Sequence, residues 1–181
     1  MAAEHDEQLD REGQLADCRR STRYHIYRMR FFQLLAKIAS AVSLAAGTTA
    51  AGSLLASGPA WLPLWASGTV VAAQVIELVV QASQKATLHR SLADAFITLE
   101  REIVRAGAAF DPIRVQDQML EIEMREPPVY RALDIMAHNE VAFASNRQGD
   151  ACEVRLHERL LAHFIAFASV DWEARRLPEN G

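Results

Sequence analysis

Between Lys37 and Glu77 lies the run IASAVSLAAGTTAAGSLLASGPAWLPLWASGTVVAAQVI, without one charged side chain. At roughly forty residues it is long enough for two bilayer crossings of about twenty residues each. Ser57-Gly58-Pro59 interrupts it near the middle. Gly and Pro punctuate helices, and apolar runs joined by a short turn pack antiparallel, so the run predicts a helical hairpin with spans at about 38–56 and 62–80.

The flanks predict its setting. Arg19, Arg20, Arg23, Arg28, Arg30 and Lys37 precede the first span, and no Asp or Glu stands between Asp17 and Glu77. Lys85, His89 and Arg90 follow the second span, whereas the connecting turn is uncharged. An excess of cations on one side marks the cytosolic face, so both termini are expected in the cytosol. Arg28, Arg30, Lys37 and Lys85 then sit at the near interface among anionic headgroups, with Tyr24, Tyr27, Phe31 and Phe32 as interfacial aromatics. Trp61 and Trp65 mark the far interface.

Within the first span Ala39, Ser43, Gly47 and Ala51 recur every four residues, a small-residue stripe on which another helix can pack closely. In the second, Gln74 and Glu77 are three apart and share a helical face. Polar groups inside spans usually face an interior or a cavity, which makes the pair candidate pore-lining residues; Glu77 equally suits the near interface or a pairing with Lys37.

Outside the run the chain changes character. Residues 1–13 carry Glu4, Asp6, Glu7, Asp10 and Glu12 and little to bury, which predicts a mobile acidic tail or a frayed helix start rather than a signal peptide, and leaves the first span as an uncleaved anchor. From Leu15 the entry helix is uninterrupted into the span. No Pro or Gly occurs from Thr69 to Gly107, so one long helix is expected to leave the membrane, with Leu88, Leu92, Ala95 or Phe96, Leu99 and Ile103 as a packing seam. Its partner is either the entry helix or another copy of the chain. Gly107 ends it, and Asp111-Pro112 caps the next helix. Pro127-Pro128 separates that helix from another over about 129–146, and a last helix is expected over about 152–175. Domain bounds of 1–13, 14–106 and 107–181 follow, and the fold class is an all-α membrane protein: a two-transmembrane helical hairpin with long cytosolic helical extensions and a C-terminal helical bundle.

No catalytic constellation is visible. Phosphate-cradling loops, nucleophile elbows and zinc-protease spacings are missing, and no cofactor or metal is expected. A net charge of -4 in 181 residues and the lack of any nucleic-acid motif argue against nucleic-acid binding. Cys18 and Cys152 fit no metal or redox spacing and read as free thiols in a reducing compartment. Glu121, Glu123 and Glu126 read as a solvated acidic edge. In His138-Asn139-Glu140, Asn139 is expected to hydrogen-bond a neighbour or a cap.

The entry RRSTRYHIYRMRFF, with Arg23, Tyr24, His25, Arg28, Arg30, Phe31 and Phe32, and the later PPVYRALDIMAHNEVAFA, with Asn139 and Glu140, together resemble the SLATT family of bacterial two-transmembrane effectors. The resemblance extends over about residues 15–170. It implies an oligomeric inner-membrane protein that acts on membrane lipids as a pore in antiviral defence or abortive infection. It also implies a separate sensor protein or nucleotide signal, since no sensor domain is recognisable here. The same hairpin is compatible with a phage or prophage holin or superinfection-exclusion protein, and an Ala-rich core hairpin with a soluble helical adaptor.

Overall fold

A computed structural model describes residues 2–55, 59 and 61–177. The chain is all-α, with 80% of residues helical. Among the described residues there is no strand, and an isolated antiparallel bridge joins Cys152 to Arg176. Helix α1 spans Ala2–Leu55, α2 Trp61–Val80, α3 Ala82–Ala106, α4 Pro112–Glu123, α5 Arg131–Ala144 and α6 Leu156–Leu161. Two of these helical stretches are long and apolar enough to cross a membrane. Ser57 and Gly58 of the expected break lie outside the described residues; Pro59 accepts a bond from Leu62 N.

The chain forms two compact units, Met29–Leu88 and the remainder, Met1–Arg28 with His89–Gly181. This division differs from the bounds at 13 and 106, because the start of α1 and most of α3 are buried with the C-terminal helices rather than with the hairpin.

In the hairpin unit α1 and α2 run antiparallel: Phe32 packs on Ala82 and Ala86 at one end, Gln74 bonds Ser43 further along, and Leu35, Ile38, Val42, Thr69 and Ile76 line one apolar groove. The inward face of α1 follows Ala39, Ser43, Ala46, Ala50 and Ser53, and that of α2 follows Ala66, Val70, Ala73, Glu77 and Val80. Within one chain the expected four-residue stripe divides between this seam and the outer surface. Ala39 and Ser43 lie on the seam, but Gly47 and Ala51 are exposed, and a Cβ at Gly47 would meet nothing within 4 Å. A constant step of four drifts about 40° per step around a helix of 3.6 residues per turn, whereas alternating steps of four and three hold one face.

The expected unbroken helix from Thr69 to Gly107 is also corrected. Gln81 takes φ 52° and separates α2 from α3. This left-handed conformation costs a non-glycine residue about 1–2 kcal/mol. Packing of Phe32 with Ala82 and Ala86 offsets it on one side. On the other, Glu77 Oε1 accepts from Ser83 N at 3.1 Å and from Ser83 Oγ at 2.7 Å.

In the other unit, Leu92, Phe96, Leu99 and Ile103 of α3 bury against Cys18 of α1 and Val115, Met119 and Ile122 of α4. This is the expected seam from Leu92 onward, with the entry helix and α4 as its partners; Leu88, expected to open it, is exposed. Gly107 takes φ 54° where α3 ends, and Asp111 caps α4 by accepting from Ile113 N and Arg114 N, as its Asp-Pro start predicts. The acidic start is helical from Ala2, and Arg11 and Gln14 tie it down by donating to carbonyls of Ile103, Val104 and Pro112. The expected helix over 152–175 is reduced to α6. Glu153 N donates to Arg175 O and Leu177 N to Ala151 O, a pairing of segment ends that one continuous helix would hold some 30 Å apart.

Candidate functional site

Arg23, Tyr24, His25 and Arg28 of the first quoted motif and Asn139 and Glu140 of the second lie in the unit of residues 1–28 and 89–181, while Arg30, Phe31 and Phe32 belong to the hairpin unit. On α1, Thr22, Tyr24, His25 and Arg28 are buried at positions where a helix seam ordinarily carries aliphatic side chains. His25 and His89 are each 1% exposed, and their Nδ1 atoms are 2.9 Å apart. His25 Nε2 lies 2.9 Å from Glu126 Oε1, and the His25 ring stacks on Phe96 at 5.7 Å between centroids. The Nδ1–Nδ1 contact requires one ring to donate and the other to accept, so at least one of the two histidines lacks a proton there. The trio joins α1, α3 and the segment before Pro127 in one hydrogen-bonded line. Its burial suits it to holding those segments in register rather than to acting on a diffusing substrate.

The other motif residues are partnered across long sequence separations. Arg23 Nη1 donates to Glu140 Oε2 at 2.8 Å, and the Tyr27 hydroxyl donates to the same carboxylate. Tyr24 OH accepts from Tyr130 N at 3.1 Å, and burial pushes its phenol above the ordinary value. Arg28 lies 4.4 Å over the Tyr130 ring and donates from Nη1 to His163 O at 2.9 Å. Burial first, and then the Arg28 cation, push His163 down to about 4, so its ring is neutral at pH 7. Asn139 matches both backbone groups of Cys152, accepting from N at 2.9 Å and donating to O at 2.7 Å. Cys18 and Cys152 are free and buried, and burial, reinforced by Glu100, raises the Cys18 thiol to about 12, which leaves it unreactive.

Several sequence expectations change here. The entry cations are largely engaged within the protein: Arg19 with Glu100 at 2.7 Å, Arg20 with Asp134 at 3.4 Å, Arg23 with Glu140, and Arg28 in the interior. Arg28 is thus not an interface residue facing headgroups; stacking on Tyr130 and the His163 carbonyl offset its desolvation. Glu126, expected on a solvated edge, is a partner of His25, and His89, expected in a basic flank, is its other partner. No local pattern reveals either, because the three residues are brought together from positions 64 and 101 apart.

In the hairpin unit Arg30, Lys37, Trp61, Trp65 and Lys85 are exposed, with Lys85 Nζ 5.6 Å above the Phe32 ring. Gln74 Nε2 donates to Ser43 Oγ at 3.0 Å and so links α2 to α1. Glu77, half-buried, caps the start of α3 through Ser83. The two candidate pore-lining residues thus each hold a partner inside the hairpin, and they do not meet each other in one polar cluster.

Among the described residues no group of three or more His, Cys, Asp or Glu side chains is arranged to hold a metal ion. No protein-family model, curated protein or solved structure matches the chain.

Proposed function

We propose that the chain is a two-span membrane protein with both termini in the cytosol. Copies of it assemble in a bacterial inner membrane and breach it in antiviral defence. The observation that carries the membrane part is the outer surface of the hairpin. Leu34, Ile38, Leu44, Leu64, Trp65, Val71, Ile76 and Leu78 are all exposed, while the seam is mostly Ala and Ser. Apolar area of that extent around a charge-free helix pair suits hydrocarbon as its solvent, and a small-residue seam suits helix association where no hydrophobic effect drives it. The breach and its defence setting rest on the SLATT resemblance. Supporting it, Arg23, Tyr24, His25, Asn139 and Glu140, the residues that carry the resemblance, all have hydrogen-bonding work in one unit.

The trigger in this proposal is a separate sensor protein or nucleotide, which acts through the cytosolic unit to open a path between hairpins. Fractionation and a potential-sensitive dye test it in two stages. The full chain is expected in the membrane fraction, and recovery in the soluble fraction without detergent would overturn the membrane assignment. On phage challenge the expressing cells are expected to depolarise; a steady potential in challenged cells that hold membrane-inserted protein would overturn the breach.

A further inference from the structure

We propose that α6 and the turn after it form a peripheral contact for an anionic phospholipid surface. Leu156, Leu160 and Phe164 recur every fourth residue, and the bond from Ile165 N to Leu161 O at 2.9 Å carries the helical path past the end of α6. The three are 72%, 68% and 64% exposed, with Leu161 and Ile165 exposed beside them. The opposite side of the same turn is fixed in the interior. Ala162 is fully buried beside Tyr24, Leu133 and Trp172, and Arg28 holds the His163 carbonyl.

Charge selects the partner. Glu158 is the only carboxylate between Val154 and Val170, and it is turned inward, accepting from Arg175 Nη1 at 2.7 Å and from Arg155 N at 2.8 Å. Arg155 and Arg159 stay on the exposed side. The outward face is therefore a ridge of Leu and Phe with a cationic rim and no exposed acid of its own, the pattern of segments that settle into the headgroup layer of anionic bilayers. A single turn of this kind binds weakly when free. Here the hairpin supplies a high local concentration of lipid, a step that rests on the membrane reading above, and the fixed backbone leaves little ordering entropy to lose.

The full chain, reconstituted in vesicles, tests it with single cysteines labelled by an environment-sensitive fluorophore, since Cys18 and Cys152 are buried. Leu160→Cys reports the ridge and Leu44→Cys the hairpin, each read by quenching from nitroxide-bearing lipids. With phosphatidylglycerol mixed into phosphatidylcholine, both labels are expected to be quenched. Arg155→Gln with Arg159→Gln is expected to weaken engagement of the ridge by about tenfold or more, as each cation near such a surface is worth roughly a factor of five. A quenched Leu44 label beside an unquenched Leu160 label overturns the ridge contact and leaves the hairpin reading standing. The reverse result overturns the hairpin alone. Equal ridge quenching in pure phosphatidylcholine overturns the role of charge. Shielding of the Leu160 label from aqueous iodide without lipid quenching assigns the ridge to a protein partner and overturns the proposal.

Discussion

In the unit of residues 1–28 and 89–181, Phe96, Leu92, Ile103 and Leu133 face inward and charged groups pair across distant segments; in the hairpin, Leu44, Leu64, Trp65 and Leu78 face outward and Ala and Ser face inward. The first arrangement is what water selects, since large apolar side chains leave it and cations find acids to hold them in register. The second gains less from water, because along most of the seam the side chains it hides are Ala and Ser, with Phe32 buried at the end beside Ala82 and Ala86. One chain thus carries two opposite answers to which side chains are hidden, and the change occurs inside α1 and inside α3 rather than between helices.

The largest expected effect probes the water-selected unit. Phe96→Ala removes a fully buried ring that also stacks on His25, and is expected to destabilise that unit by about 3–5 kcal/mol. Denaturation followed by Trp172 fluorescence in detergent would show it, and a loss below 1 kcal/mol would mean the core is loosely packed. Val71→Arg probes the hairpin. At an exposed position on the surface of a protein in water such a change is worth about half a kcal/mol or less, whereas mid-span it costs insertion about 3 kcal/mol. Glycosylation-reporter insertion assays separate the two values.

Acid gives the next effect, again on one unit only. His163 is held at about 4 in the fold against an ordinary 6.5, so between those values the unfolded chain binds the extra proton and stability falls as pH falls. The loss, about 3 kcal/mol at full weight and on the order of 2 kcal/mol once solvent screening of the partly exposed ring is allowed for, begins below pH 6.5 and is complete near pH 4; it should vanish in His163→Gln. Melting curves at pH 7, 5.5 and 4 would check it. The smallest effect is Glu77→Ala, which leaves Ser83 without its acceptor and should cost about 1 kcal/mol, the usual worth of a helix cap. Amide exchange at residues 83–86 is expected to quicken about fivefold, with no change around His25.

Local signals in the sequence reached the structure well. The start of α2 near Leu62, the α3 seam from Leu92 to Ile103 and the Asp111 cap are each set by neighbours within one or two turns, whereas the break at Gln81 that ends α2 at Val80 has no Gly or Pro to announce it. What depended on distant partners was not legible. Arg19, Arg20 and Arg23 look alike as juxtamembrane cations, and only the fold supplies Glu100, Asp134 and Glu140. The His25, His89 and Glu126 line has no spacing to betray it. The apolar LLAHFIAFASV suggested a helix, but Asn139 and the pairing of Ala151–Glu153 with Arg175–Leu177 draw its ends together.

The left-handed residue at Gln81 has one more consequence, for phase. Inward-facing positions step from Glu77 to Val80 by three and from Ala82 to Ala86 by four, but from Val80 to Ala82 by two, which on a straight helix would be a turn of about 200°. Gln81 absorbs that turn. It acts as a half-revolution gear in the chain, so that one sequence period serves the residues before it and a differently timed one the residues after it. Deleting a single residue there would shift the timing by about 100° and present Ser83 where Ala82 now packs on Phe32, and inserting one ahead of Gln81 would present Gln81 itself.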